Sequence, residues 1–183
     1  MNKVIKIIGI VTGVFLILLF VVPLFVKKEY EVTREMTVQA EKETVMDFMR
    51  NFKNFKLWSP WAELDPNMKE EITGNDGEVG AKYYWKGNDD VGEGSMVIES
   101  ISDNEIVINL TFIEPFSSES PTVYSFEEFE YGTTITWHMK GEIGYPWNGI
   151  LLFMDMEKAI GEDLTKGLQN LRRELLIKSG QNY

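Results

Sequence analysis

Hydrophobic and polar positions divide the chain into three stretches. From Ile7 to Val26 there is no charged residue, and the run IIGIVTGVFLILLFVVPLFV is apolar on every side. Its 20 residues make a helix about 30 Å long, the thickness of a bilayer's hydrocarbon core. In lipid every backbone N–H and C=O must be satisfied within the segment, so helix is the form expected. From Tyr30 onward the pattern alternates. Tyr30, Val32, Met36 and Val38 fall on one face of a strand, with Glu31, Thr33, Glu35 and Thr37 on the other. A short helix follows over Glu41–Asn51, carrying Val45, Phe48 and Met49 on one side. A further helical turn over Asn54–Leu57 ends at Ser59-Pro60, because a residue before proline avoids the helical region. Asp65-Pro66-Asn67 is a turn.

Strands then dominate: Gly80–Lys86, Gly94–Ile101, Glu105–Ile113, Thr122–Tyr131 and Thr133–Glu142, joined by turn-rich segments such as Gly87-Asn88-Asp89-Asp90 and Tyr131-Gly132. This predicts an antiparallel meander. In Trp147–Lys178 the residues Phe153, Ile160, Leu164, Leu168, Leu171 and Leu175 recur at spacings of three, four and seven, which predicts one long amphipathic helix. Such a helix needs a broad apolar surface, and the meander supplies it. The fold class is therefore α+β: a curved antiparallel sheet wrapped on a long C-terminal helix, preceded by one transmembrane helix at about 5–26. The division is an anchor over 1–29 and a single domain over 30–183.

The competing reading of the first segment is a cleaved signal peptide. The apolar run is longer than the usual hydrophobic region of about 7–15 residues, and Pro23-Leu24-Phe25-Val26-Lys27 has no small-x-small cleavage site. Lys3 and Lys6 face Lys27 and Lys28 across the span, so the positive-inside bias is nearly balanced. A short basic N-terminus favours retention in the cytoplasm, which puts the domain on the extracytoplasmic side of a single-pass membrane protein.

Charge and composition narrow the chemistry. The net charge is −11; the segment ahead of Tyr30 contributes +3, from four lysines against Glu29, leaving −14 on the remainder. Phosphate backbones repel so acidic a domain, so nucleic acid is not an expected partner. With Cys 0, thiolate nucleophiles, disulfides and cysteine-ligated metals are excluded. His138 is the one histidine, and alternation points it away from the face shared by Trp137 and Met139. No serine–histidine triad or histidine-pair zinc site can be built around it. Asp89, Asp90 and Glu93 lack the spacing of a calcium loop and read as a solvated hairpin. No metal, cofactor or catalytic residue is expected.

Alternation also groups Ala81 with Tyr83 and Trp85, Met96 with Ile98, Tyr124 with Phe126, and Ile135 with Trp137 and Met139. These faces either fill the core or line a cavity against Phe153, Met156 and Ile160 on the long helix. Trp58 and Trp61 either close the core beneath the helix pair or wall the cavity mouth. Glu157, beside the apolar stripe, is the one carboxylate on that helix placed to act on a ligand; its other reading is a solvated edge position.

Several segments in order resemble a known family: Val38-Gln39-Ala40, Trp58-Ser59-Pro60-Trp61, Gly80 to Asn88, Gly92-Glu93-Gly94-Ser95-Met96, Gly132 to Trp137, and Gly167-Leu168-Gln169-Asn170-Leu171-Arg172. Over about Glu31–Leu176 the chain resembles the SRPBCC superfamily, with its Bet v 1/START-like helix-grip fold, and most of all the polyketide cyclase/dehydrase-like branch. The N-terminal anchor departs from that branch. The resemblance implies a hydrophobic cavity between sheet and helix but no particular reaction, since the superfamily hosts carriers, enzymes and co-chaperones. The expected ligand-binding residues are Trp61, Tyr83, Trp85, Met96, Tyr124, Trp137, Phe153, Met156 and Glu157. The expected function is membrane-anchored binding of a hydrophobic small molecule or lipid. The alternatives are a polyketide cyclase/dehydratase-like enzyme and a non-catalytic protein-interaction module.

Overall fold

The computed structural model describes residues 3–114 and 117–180. The expected chain limits at 1 and 183 lie outside these residues. The apolar N-terminal segment is helical throughout: α1 (Lys3–Leu16) runs into a π-helical stretch (Ile17–Val21) and a 3₁₀ turn (Val22–Phe25). Together Lys3–Phe25 form a 23-residue rod, long and apolar enough to cross a bilayer. Its apolar side chains are exposed along almost the whole length. The change of helix type falls next to Pro23, which lacks the N–H that would continue the α-helical ladder.

Beyond the rod, β1 (Glu29–Val38), α2 (Lys42–Arg50), a 3₁₀ turn (Phe52–Asn54), α3 (Phe55–Trp58) and a further 3₁₀ turn (Trp61–Glu63) precede six strands. These are β2 (Lys69–Thr73), β3 (Lys82–Lys86), β4 (Glu93–Ile101), β5 (Glu105–Glu114), β6 (Ser118–Phe129) and β7 (Gly132–Glu142). They form one antiparallel seven-stranded sheet of order β1-β7-β6-β5-β4-β3-β2. The first two strands thus sit on opposite edges, and α2 and α3 carry the chain between them across one end of the sheet. Register shifts between β4 and β5 at Glu93/Gly94 and Ile98/Ser100 add local twist.

The concave face buries alternate residues along much of β3 to β7 and, on β1, Val32 and Val38; Ile98, Ile106, Ile108, Phe126 and Ile135 are among them. Across this face lies α4 (Met156–Lys178), whose Leu164, Leu168, Leu171 and Leu175 are all buried. Gly167 lets it come close: a Cβ there would sit 2.9 Å from the Trp137 indole. Trp58, wholly buried, makes edge contacts with Trp137 and Phe55 at 5.4 and 5.0 Å between ring centres. The helix-grip arrangement expected from the sequence is the arrangement found.

Three features differ from that reading. The long helix does not start at Trp147. A 3₁₀ turn (Trp147–Leu152) comes first, and α4 begins after Asp155, whose side chain accepts from the Lys158 N–H at 3.1 Å. That N-cap satisfies an otherwise orphan donor and fixes the start of α4. The edge strand β2 is absent from the sequence reading; every residue in it is exposed, so no apolar alternation marks it. Finally, β6 begins at Ser118 rather than Thr122 and runs through Pro121.

Truncating a side chain sealed between α4 and the sheet should be costly. Leu168→Ala is expected to lower the unfolding free energy by roughly 2–5 kcal/mol, whereas Ile177→Ala on the exposed side should change it by less than about 0.5 kcal/mol. Thermal or denaturant unfolding of the full chain, followed by near-ultraviolet circular dichroism, measures both.

Candidate functional site

Sheet and helix do not meet everywhere. Between α4, the inner face of β3 to β7 and the Phe55–Met68 segment lies a cavity of about 200 Å³. Its wall is largely apolar: Met68, Trp85, Met96, Leu110, Phe112 and Met139 contribute to it. Alternation along the strands places these side chains. Gly94 on β4 gives the Trp85 indole the room it occupies, since a Cβ there would overlap the ring.

Six of the nine residues expected from the sequence line this cavity: Trp61, Tyr83, Trp85, Met96, Tyr124 and Trp137. The other three do not. Phe153 is 90% exposed, and with Met156 and Glu157 it borders a separate outer groove beside Phe25–Glu31. The physical reason is the late start of α4. Because the helix begins only at Met156, its first inward turn is set by Ile160, and the residues ahead of it turn away from the sheet. Glu157 instead holds the Arg34 guanidinium at 2.7 Å on the exterior. The α4 carboxylate on the cavity wall is Asp163, one helical turn after Ile160. Its spacing from Ile160 and Gly167 puts it on the edge of the apolar stripe, a signal present in the sequence but overshadowed by the ordinary reading of a helix charge as solvated. Tyr30, Thr122 and Ser59 also reach the cavity, as does Asp90 of the β3–β4 hairpin.

The polar groups of the wall are few and mostly committed. Tyr83 donates its hydroxyl to Glu70 at 2.6 Å. Burial, and then the hydrogen bond and negative charge of Glu70, hold its phenol far above the ordinary tyrosine value. Burial alone raises Tyr124. Partial burial pushes the Asp163 carboxyl up, against the opposing hydrogen bond from Trp61 and the charge of Lys166. Trp85 donates to the Val91 carbonyl at 3.4 Å. The indole N–H of Trp137 is different: it is buried and has no acceptor among the described residues. A buried donor without a partner is rare, and here it belongs to a residue of the cavity wall. His138 lies on the outer face, its Nδ1 bonded to the Thr33 hydroxyl at 2.8 Å. Among the described residues no group of three His, Asp or Glu side chains converges as a metal site would require.

A seven-stranded sheet gripping a terminal helix around an apolar cavity is a shared architecture. Residues 29–176 match the family described as polyketide cyclase/dehydrase and lipid transport. The chain belongs to this family. Among solved structures it is similar to the protein TTHA0849 from Thermus thermophilus (17% identity, covering 82% of this chain and 99% of that one, TM-score 0.61). It is similar also to Ara h 8.0201 (12% identity, 84% and 99%, TM-score 0.57). A third likeness is to StfQ, the di-domain ARO/CYC of the steffimycin biosynthetic pathway (9% identity, 84% of this chain but 52% of that one, TM-score 0.62). At such identities these likenesses show the fold. No curated protein matches the sequence.

The Tyr83–Glu70 pair predicts an alkaline limit to stability. The neutral phenol is favoured in the folded state, so its contribution is intact below the unfolded tyrosine value of about 10 and is lost as pH climbs from there toward the raised folded value. Tyr83→Phe should flatten the fall in melting temperature above about pH 10, and parallel melts of the two proteins across that range measure the difference.

Proposed function

We propose that the protein is a membrane-anchored carrier that holds one apolar small molecule, a lipid or lipid-like compound, in the cavity between sheet and helix. Residues 1–29 are its anchor and residues 30–183 its ligand domain, which stands on the extracytoplasmic side. The observation that carries this reading is the largely apolar wall of the cavity, one residue of which, Trp137, has a buried N–H without an acceptor among the described residues. Such a wall selects by shape and apolarity, and one buried donor can orient an acceptor such as a carboxyl or ketone. Tyr83, Trp85, Met96, Tyr124 and Trp61 supply the remaining contacts; methionine adapts to variable ligand shapes.

Membership of a family that includes lipid transport supports the ligand class. Retention of the anchor is supported by Asn148, which is 0% exposed. Its amide donates to the carbonyls of Pro23 at 2.8 Å and Val26 at 3.0 Å. Removing the apolar segment would break both hydrogen bonds, at a cost of about 0.5–1.5 kcal/mol apiece. The mature chain extracted from membranes should therefore retain its N-terminal segment, and its intact mass tells this from a chain cut near Val26.

A catalytic reading would have to rest on Asp163, the carboxyl raised by burial beside the cavity. A cyclisation or dehydration needs a group that takes a proton from the ligand. Turnover abolished by Asp163→Asn in a screen of cyclisable polyketones would establish it in place of the carrier.

For the carrier, native mass spectrometry of the detergent-extracted full chain in the presence of excess long-chain fatty acid should show one bound apolar molecule. Leu110→Trp, which projects bulk into the cavity, should reduce the bound fraction at least tenfold. A chain that carries nothing, and that takes up no long-chain fatty acid when this is added, would end the reading.

A further inference from the structure

The segment between β7 and α4 exposes an unusual density of large apolar side chains. Tyr145, Trp147, Ile150, Leu152, Phe153 and Met154 are all exposed. This strip does not stand apart from the N-terminal rod. The Tyr145 hydroxyl donates to the Phe20 carbonyl at 2.9 Å, and the Gly149 backbone lies against the Pro23 ring. Phe20 is six residues inside the end of the apolar run at Val26. At about 1.5 Å per residue it lies roughly 9 Å toward the bilayer centre. A segment whose side chain reaches Phe20 stands at the depth where interfacial helices bury their apolar faces. Tyrosine and tryptophan are the residues that membrane–water boundaries favour.

The end of the strip, Leu151 to Met154, forms one wall of the outer groove bordered by Phe25–Glu31 on the other side. One residue lines both that groove and the cavity: Tyr30, at the start of β1. Its ring lies across Gly141 of the neighbouring strand, where any Cβ would collide with it. Groove and cavity are thus separated at this point by an aromatic side chain over a glycine.

We propose that Tyr145–Met154 is seated in the membrane interface, and that the groove it borders, closed at its inner end by Tyr30, is the passage by which a ligand enters the cavity from the bilayer. The occupant of the strip is the lipid surface, because the strip continues the apolar face of the rod and is bonded to it below its exit. This rests on the carrier reading for the ligand but not for the seating. The domain does not swing on a tether. Asn148 and Tyr145 fasten it to the last turns of the rod, so the groove faces the lipid at a fixed height.

The absence of cysteine makes the test clean. Phe153→Cys and, at the far end of the sheet, Tyr131→Cys each give the full chain one thiol for an environment-sensitive nitrobenzoxadiazole label. In phosphatidylcholine vesicles the label at 153 should emit at shorter wavelength and be quenched several-fold by doxyl-labelled lipid. The label at 131 should behave as in water. Equal, water-like behaviour at both positions would overturn the seating. The passage is read separately, with a pyrene-labelled fatty acid supplied either from the vesicles or from detergent solution. Ile150→Glu, outside groove and cavity, should slow uptake from vesicles about tenfold and leave occupancy from detergent unchanged. Unchanged uptake from vesicles would overturn the passage. No occupancy by either route, in the unaltered chain, would overturn the carrier reading while leaving the seating to stand on its labels.

Discussion

The apolar stripe of α4 must be hidden from water, and the concave sheet is the surface that hides it. Leu164, Leu168, Leu171 and Leu175 each remove a leucine side chain from solvent, worth about 1.5–3 kcal/mol apiece by area. That gain holds the helix across strands that would otherwise expose their inner residues. It also dictates the cavity. A straight rod cannot follow a twisted, bulged sheet along its whole length, so contact is tight at Gly167–Trp137 and at Gly161–Arg34 and opens where Ile160 and Asp163 face the inner side of the sheet. The space is a geometric consequence of pressing a rod onto a curved surface, and the side chains around it are large and apolar because they face the same interior.

How far the sequence discloses this depends on which physical force sets each part. The inward faces of β3 to β7 are legible because burial on one side writes a period of two into the chain. Tyr83, Trp85, Met96, Tyr124 and Trp137 fall on the cavity wall as that period predicts. The stripe of α4 is legible from Ile160 onward for the same reason, with a period of 3.6. Upstream of Asp155 the apolar residues continue but cease to report on the core. Ile150, Leu152 and Phe153 are apolar and exposed, so reading them as one more turn of a buried stripe carries Phe153, Met156 and Glu157 to the wrong surface. An aspartate that caps a helix is a weak signal against a strong apolar period, and β2, exposed on all five residues, gives no period at all.

Asp163 shows a different limit. Charged residues on an amphipathic helix are ordinarily solvated, and counting charges on the polar face is a sound rule. It fails where the helix borders a cavity, because the edge of the stripe then faces neither core nor bulk water. A carboxyl placed there is partly desolvated, with its proton held more firmly. The Asn148 amide is illegible for another reason. Its partners are backbone carbonyls of Pro23 and Val26 at the end of the rod, where the chain leaves α-helical geometry. Only the three-dimensional meeting of residues 125 positions apart shows that a buried asparagine serves them.

The cavity's size bears on why such a domain would be tied to a membrane. About 200 Å³ lies below the roughly 300–1,000 Å³ of pockets that enclose drug-sized ligands. A slender molecule hiding about 200 Å² of apolar surface gains roughly 5 kcal/mol, less the cost of immobilising it, so its Kd is no tighter than about 0.2 mM. Free apolar molecules rarely reach such concentrations in water, but a bilayer dissolves them at far higher local levels. On the carrier reading proposed above, a weak, adaptable site works where its reservoir is close, and a domain fixed to a membrane-seated rod would gain that closeness through effective concentration rather than through tighter contacts. On that reading the small cavity and the apolar rod belong together: the rod would keep the cavity beside its reservoir, and the cavity needs no tighter contacts than its apolar wall supplies.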